Sequence, residues 1–115
     1  MSEERIELEV GREYVVDEVS KKRSHQFSKY RVTYLGKEIL DSEEGENSLF
    51  FRAKAGEAEY YIVHSEGKVK KGNSEESLRV MKDDFELYLL KSGIRDNSSR
   101  LRRILKSLGE KIDDE

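Results

Sequence analysis

The stretch SEESLRVMKDDFELYLL, running from Ser74 to Leu90, decides how the rest of the chain is arranged. Ser74 is a good N-cap, because its hydroxyl can accept from an otherwise unpaired backbone N–H. Glu75 and Glu76 then fall in the first turn, where the helix dipole favours acid. At about 3.6 residues per turn, Leu78, Met81, Phe85, Tyr88 and Leu89 line one side. The spacing predicts a helix over 74–92, closed by Gly93. Val80 and Leu87 fall nearly opposite that stripe, with Leu90 between the two. Apolar residues on the back of a surface helix need a cover. If a second helix lies on the sheet beside this one, Val80, Leu87 and Leu90 read as a candidate interface for a protein partner or a second copy of the chain. If it lies over this one, Val80 and Leu87 read as core.

Toward the C-terminus the helical period continues. Asn97 or Ser98 can cap a second helix over 98–111, in which Leu101, Ile104, Leu105, Leu108 and Ile112 form one narrow stripe. Arg102, Arg103 and Lys106 project away from it, with Arg95 and Arg100 nearby. The pair resembles a helix-turn-helix in its glycine turn, Ser92-Gly93-Ile94, and its arginine-rich second helix. The spacing of Leu101, Ile104 and Leu105 departs from the usual recognition-helix register.

Toward the N-terminus the period changes to two, and residues 5–72 read as strands. Ile6-Glu7-Leu8-Glu9-Val10 alternates apolar and charged residues until Gly11-Arg12 breaks the pattern. Tyr14-Val15-Val16 resumes an extended run that reaches Val19. Tyr30, Val32 and Tyr34 alternate with Arg31 and Thr33. Gly36-Lys37 reads as a two-residue turn, with Glu38-Ile39-Leu40 pairing back as a hairpin arm. After an acidic loop over 41–48, Leu49, Phe51 and Ala53 alternate with Phe50 and Arg52. Ala58, Tyr60, Ile62 and His64 share one strand face, opposite Glu59, Tyr61 and Val63. Glu66-Gly67 turns into a short arm, Lys68-Val69-Lys70.

Strands followed by helices point to an α+β fold in one domain, residues 1–115. The expected architecture is an N-terminal antiparallel β-meander, open or curled into a small partly open barrel, followed by two C-terminal α-helices. The 115 residues suffice for one core. Cysteine is absent, which excludes disulfides and thiolate metal sites. No apolar run approaches the ~20 residues of a membrane span, and the first residues are acidic, so a cytoplasmic protein off the membrane is expected. Abundant Glu and Lys with few Asn, Gln and Met lean toward a thermophilic source.

Catalytic signatures are missing. His25 and His64 lack partners at a metal-ligand spacing, His25 reading as a surface residue and His64 as a sheet-edge residue. No glycine-rich phosphate loop occurs. Asp41 with Glu66-Gly67-Lys68 mimics a nuclease acid–Glu-x-Lys pattern, but Gly67 puts Glu and Lys on a turn rather than a rigid strand. The expectation is a non-catalytic binding module without metal or cofactor.

Charge distribution is the most informative signal. Residues 1–20 carry seven acids and two bases, whereas residues 21–40 carry six bases and one acid. Lys21, Lys22, Arg23, Lys29 and Arg31 cluster in the second block, interleaved with Phe27 and Tyr30. Cations can neutralise phosphates and rings can stack on unpaired bases, so the block reads as a nucleic-acid-binding segment, with Arg102, Arg103 and Lys106 as a second patch. The bland alternative is an exposed loop with Phe27 and Tyr30 turned into the core. A protein-interaction or self-associating domain is the other expectation, favoured by the overall charge of −3.

Overall fold

The computed structural model describes residues 6–20, 22, 26–40, 43, 45–82, 87–96 and 99–112. Lys21, Arg23, His25, Asp41, Phe85, Asn97 and Ser98 lie outside the described residues, as do the side chains of Phe27, Leu87 and Arg95. Among the described residues there are seven strands: β1 Glu13–Ser20, β2 Gln26–Ile39, β3 Asn47–Ala55, β4 Ala58–Ser65, β5 Val69–Lys71, β6 Ser77–Lys82 and β7 Leu87–Leu90. Short 3-10 turns occupy Glu66–Lys68 and Lys91–Asp96, and an α-helix, α1, spans Ser99–Ser107.

The strands form one sheet in the order β5-β6-β1-β2-β3-β4-β7. All neighbouring pairs are antiparallel except β1 and β6, which run parallel. The sheet is therefore mixed, not a simple meander. The expected helix over 74–92 does not form: β6 and β7 take its place. Leu78 and Val80 sit two residues apart and are both buried, the mark of a strand period. Gly93 lies inside the second 3-10 turn and does not end a helix.

A flat sheet would put β4 and β5 five inter-strand steps apart, about 24 Å at ~4.8 Å each. Yet Ser65 and Val69 are joined by only three residues, which span at most about 14 Å. The sheet must coil on itself. It stays open, with β5 and β7 as its two edges.

Alternation assigns each face of the coil. The inner face buries Tyr14, Val16, Val32, Tyr34, Leu49, Phe51, Ala53, Ile62, Val69, Leu78 and Val80. The outer face buries Phe50, Tyr61, Val63 and Leu89 beneath Ile94 and the α1 residues Leu101, Ile104 and Leu105. This stripe of α1 is the one expected from its spacing. The helix ends two residues before Gly109, whose φ of 95° is left-handed. Gly109 N–H donates to Lys106 O and Glu110 N–H to Leu105 O, both at 3.0 Å. Together they make a Schellman cap, which explains why the helix stops short of residue 111.

Gly36 does not turn a hairpin. β2 runs straight through it with a bulge, in which Tyr34 pairs with Phe51 but Gly36 pairs with Phe50. A Cβ at Gly36 would lie 2.7 Å from Leu108 Cδ2, and its φ is 142°. Glycine here lets the C-terminal segment approach the strand.

Candidate functional site

On β2 the alternation turns Lys29 and Arg31 outward and Tyr30 and Val32 inward. Lys29 pairs across the ladder with Asp17 of β1, Asp17 with Arg79 of β6, and Arg79 with Lys70 of β5. Directly paired residues share a face, so Lys70, Arg79, Asp17 and Lys29 form one row across four strands. Arg31 stands in the next row, opposite Val15, with its guanidinium 3.6 Å from Glu13. Lys29, Arg31, Lys70 and Arg79 are all exposed, and no part of α1 covers them. Among the described residues no ion pair holds Lys29, Lys70 or Arg79.

Several other acids gather elsewhere. Glu9, Glu75 and Glu76 lie 3.9–4.0 Å from Arg12. Glu66 lies 3.3 Å from Lys37, and Glu46 accepts from Gly67 N–H at 3.1 Å. The hydrogen bonds that Glu46 accepts from Ser65 and Gly67 hold its carboxyl below the usual range.

The structure unites part of the sequence-derived basic set and separates the rest. Lys22 is exposed in a turn beside β1. Arg103 and Lys106 are exposed on α1 and Arg102 is half-buried there, while Arg100 donates to Ile39 O at 3.1 Å. Leu108, just after α1, meets Gly36. Gly36 lies seven residues along β2 from Lys29, a distance of roughly 20 Å. The two basic patches are thus distinct. Arg79 and Lys70 escaped the sequence reading because Arg79 fell in the supposed helix. Lys70 fell in an arm whose partner, β6, was itself read as helix. The run Lys68-Val69-Lys70-Lys71 is the signal that could have found Lys70.

Tyr30 is not a stacking ring on this face. It points into the coil, where its hydroxyl lies 3.1 Å from Nε2 of His64. His64 is buried, not at a sheet edge, and its ring packs at 5.9 Å from that of Phe51. Glu18 was also missed. It follows Tyr14 and Val16 in the inward alternation and is buried. Tyr88 donates to Glu18 Oε1 at 2.9 Å, and Lys82 Nζ faces Oε2 at 3.3 Å in a charge contact without hydrogen-bond geometry. The Lys82 ammonium also lies 4.9 Å from the centre of the Tyr88 ring. These contacts tie β7 to β1 and β6 across the open seam.

The candidate interface residues separate too. Val80 is wholly buried on β6, between Glu18 and Val69, so it lies in the core and not on an exposed helix back. Leu90 is 58% exposed and Tyr88 40% exposed on the edge strand β7.

Two further polar features remain. A pocket of about 270 Å³ lies at one end of the interior, with Ile6, Leu8, Tyr34, Lys37, Leu49 and Glu66 among its walls. Burial, then the charge of Glu66, raises the pKa of the Tyr34 phenol. On the outer face, Arg52 donates to Glu110 Oε2 at 2.7 Å and Tyr61 to Oε1 at 3.0 Å. Burial is the main cause of a strongly raised Tyr61 pKa, and the bond to the Glu110 carboxylate adds to it. Among the described residues no group of three or more His, Cys, Asp and Glu could hold a metal ion, and no helix is long and apolar enough to cross a membrane. Comparison with family models, with curated proteins and with solved structures finds no match to this chain.

Proposed function

We propose that this domain is a non-catalytic binding module whose ligand is nucleic acid, held on the outer face of β5, β6, β1 and β2. One observation carries the reading: Lys70, Arg79 and Lys29 stand in a single exposed row, joined by Arg31, and among the described residues three of the four hold no ion pair. Cations left unpaired on one rigid surface are available to phosphates. The net charge of −3 opposes long-range attraction. The row itself carries four cations with Asp17 and Glu13 beside them, so the local field over it is more positive than the total suggests. The test is titration of labelled nucleic acid at two salt concentrations. Four phosphate contacts give a logarithmic salt slope of about −3.6, hence an affinity loss of roughly 100-fold between about 50 and 200 mM salt. Absence of salt-sensitive binding at the lower concentration rejects the reading.

A second reading is favoured by β7. Leu90 is exposed on a sheet edge, beside the partly exposed Tyr88, and such edges accept partner strands. A protein-interaction role predicts a concentration-dependent mass in sedimentation that Leu90→Lys abolishes.

A further inference from the structure

We infer that the basic row binds duplex DNA by straddling its major groove, one cation pair on each backbone, without reading bases. The inference rests on the reading of this face as nucleic-acid-binding and specifies the form of the ligand.

The order of charges is the first argument. Lys70 and Arg79 stand on β5 and β6, Lys29 and Arg31 stand on β2, and Asp17 of β1 lies between the two pairs. A continuous single strand lying along the row would put phosphate over Asp17. Two backbones separated by a groove leave that acid over the gap. The spacing agrees. Lys70 and Lys29 are three inter-strand steps apart, about 14 Å, against a major-groove width of about 12 Å.

Shape is the second argument. The coil is concave toward the Val16 and Phe51 core, so the outer face is convex. Single-strand binding calls for a groove that tracks the backbone and for aromatic rings that stack on bases. A convex face does not enclose a backbone. Tyr14, Tyr30 and Tyr34 of β1 and β2 all belong to the inner side. A row four strands wide is also broader than the groove it faces, so it lies across the two backbones and does not enter to reach base edges.

The experiment compares the full chain on a 20-base-pair duplex, on each separated strand, and on a second duplex of unrelated sequence. All are measured by fluorescence anisotropy at one low salt concentration. The expected result is duplex binding at least about tenfold tighter than either strand, with the two duplexes equal within about twofold. Lys29→Glu and Lys70→Glu, on opposite sides of the row, should each weaken duplex binding about equally, with unchanged circular dichroism. Asp17→Asn should leave binding equal or tighter. Single strands bound as tightly as the duplex overturn the inference while leaving the nucleic-acid reading intact. Loss of binding in Phe27→Ala, or a strong preference between the two duplexes, overturns it in the same way. Failure of every nucleic acid to bind overturns both.

Discussion

One face of one sheet meets two fates in this molecule. On β3, β4 and β7 the outward residues are Phe50, Tyr61, Val63 and Leu89, and α1 covers them. On β5, β6, β1 and β2 the outward positions include Lys70, Arg79, Asp17 and Lys29, and α1 leaves them in water. The difference is written in the local pattern. A strand buried on both sides reads as a continuous apolar run, as in Leu49-Phe50-Phe51 and Tyr60-Tyr61-Ile62-Val63. A strand with one wet side alternates, as in Lys29-Tyr30-Arg31-Val32. The covered half is packed on both sides of the sheet, and the wet half on its inner side alone.

The sharpest way to break that contrast uses two adjacent residues. Val80 points inward with no exposed surface, and Arg79 points outward. Val80→Asp buries a second carboxylate directly beside that of Glu18 and should unfold the domain, a loss above about 5 kcal/mol. Arg79→Glu should leave the melting curve nearly unchanged. Thermal denaturation of the two variants checks this. A folded Val80→Asp protein would remove β6 from the core.

Phe50→Ala comes next. Phe50 is wholly buried between the sheet and α1, so truncation should cost about 3–5 kcal/mol in urea denaturation. If the cost falls below about 1 kcal/mol, α1 does not cover this half.

The failure of the sequence to reveal β6 and β7 follows from the same contrast. β1, β3 and β4 disclosed themselves because each is long enough to display its period and pairs with a neighbour in sequence, whereas the turn signal Gly36-Lys37 hid the continuation of β2. β6 has six residues and β7 four. Over such lengths Leu78, Met81, Phe85, Tyr88 and Leu89 satisfy a helical stripe as well as two short strands. Ser74, Glu75 and Glu76 mimic a helix start. The deciding interaction is the parallel pairing of β6 with β1, some sixty residues away, and long-range pairing overrides local propensity. Val80 was the clue: an apolar residue misplaced on the helix is correctly placed on a strand. The site was legible to the same degree. Lys29 and Arg31 stood out in the basic block. Lys70 and Arg79 join them only through ladder pairings that no local pattern encodes. Glu18 and His64 were hidden because buried polar groups depend on partners such as Lys82, Tyr88 and Tyr30, brought close by the coil.

The covered half also has a pH signature. Tyr61 keeps its proton in the folded protein well above its ordinary pKa of 10.0 because it is buried and donates to Glu110. The unfolded chain releases that proton first. Its stabilisation is therefore complete below about pH 10 and is lost as pH rises from there toward the folded value. The slope is at most about 1.4 kcal/mol per pH unit for this group. Tyr34, also raised, adds in the same direction. Denaturant titrations between pH 9 and 11 should show the decline, and Tyr61→Phe should flatten it. An equal slope in the variant would assign the decline to other groups.

The smallest expected effect concerns the wet half and is the most discriminating. Lys29, Lys70 and Arg79 are exposed, and among the described residues they hold no ion pair, so the fold gains little from their charges. Lys29→Ala, Lys70→Ala and Arg79→Ala should each change unfolding free energy by less than about 0.5 kcal/mol. Repulsion within the row counts too, since Arg79 and Lys70 are direct cross-strand partners, and like charges so placed destabilise. The double variant should therefore be no less stable than the wild type, and slightly more stable at low salt, where screening is weak. Urea denaturation of wild type and double variant at about 10 mM and 1 M salt measures this directly. A double variant less stable by more than about 1 kcal/mol would mean that these cations hold the sheet together, and the row would then belong to the fold and not to a ligand.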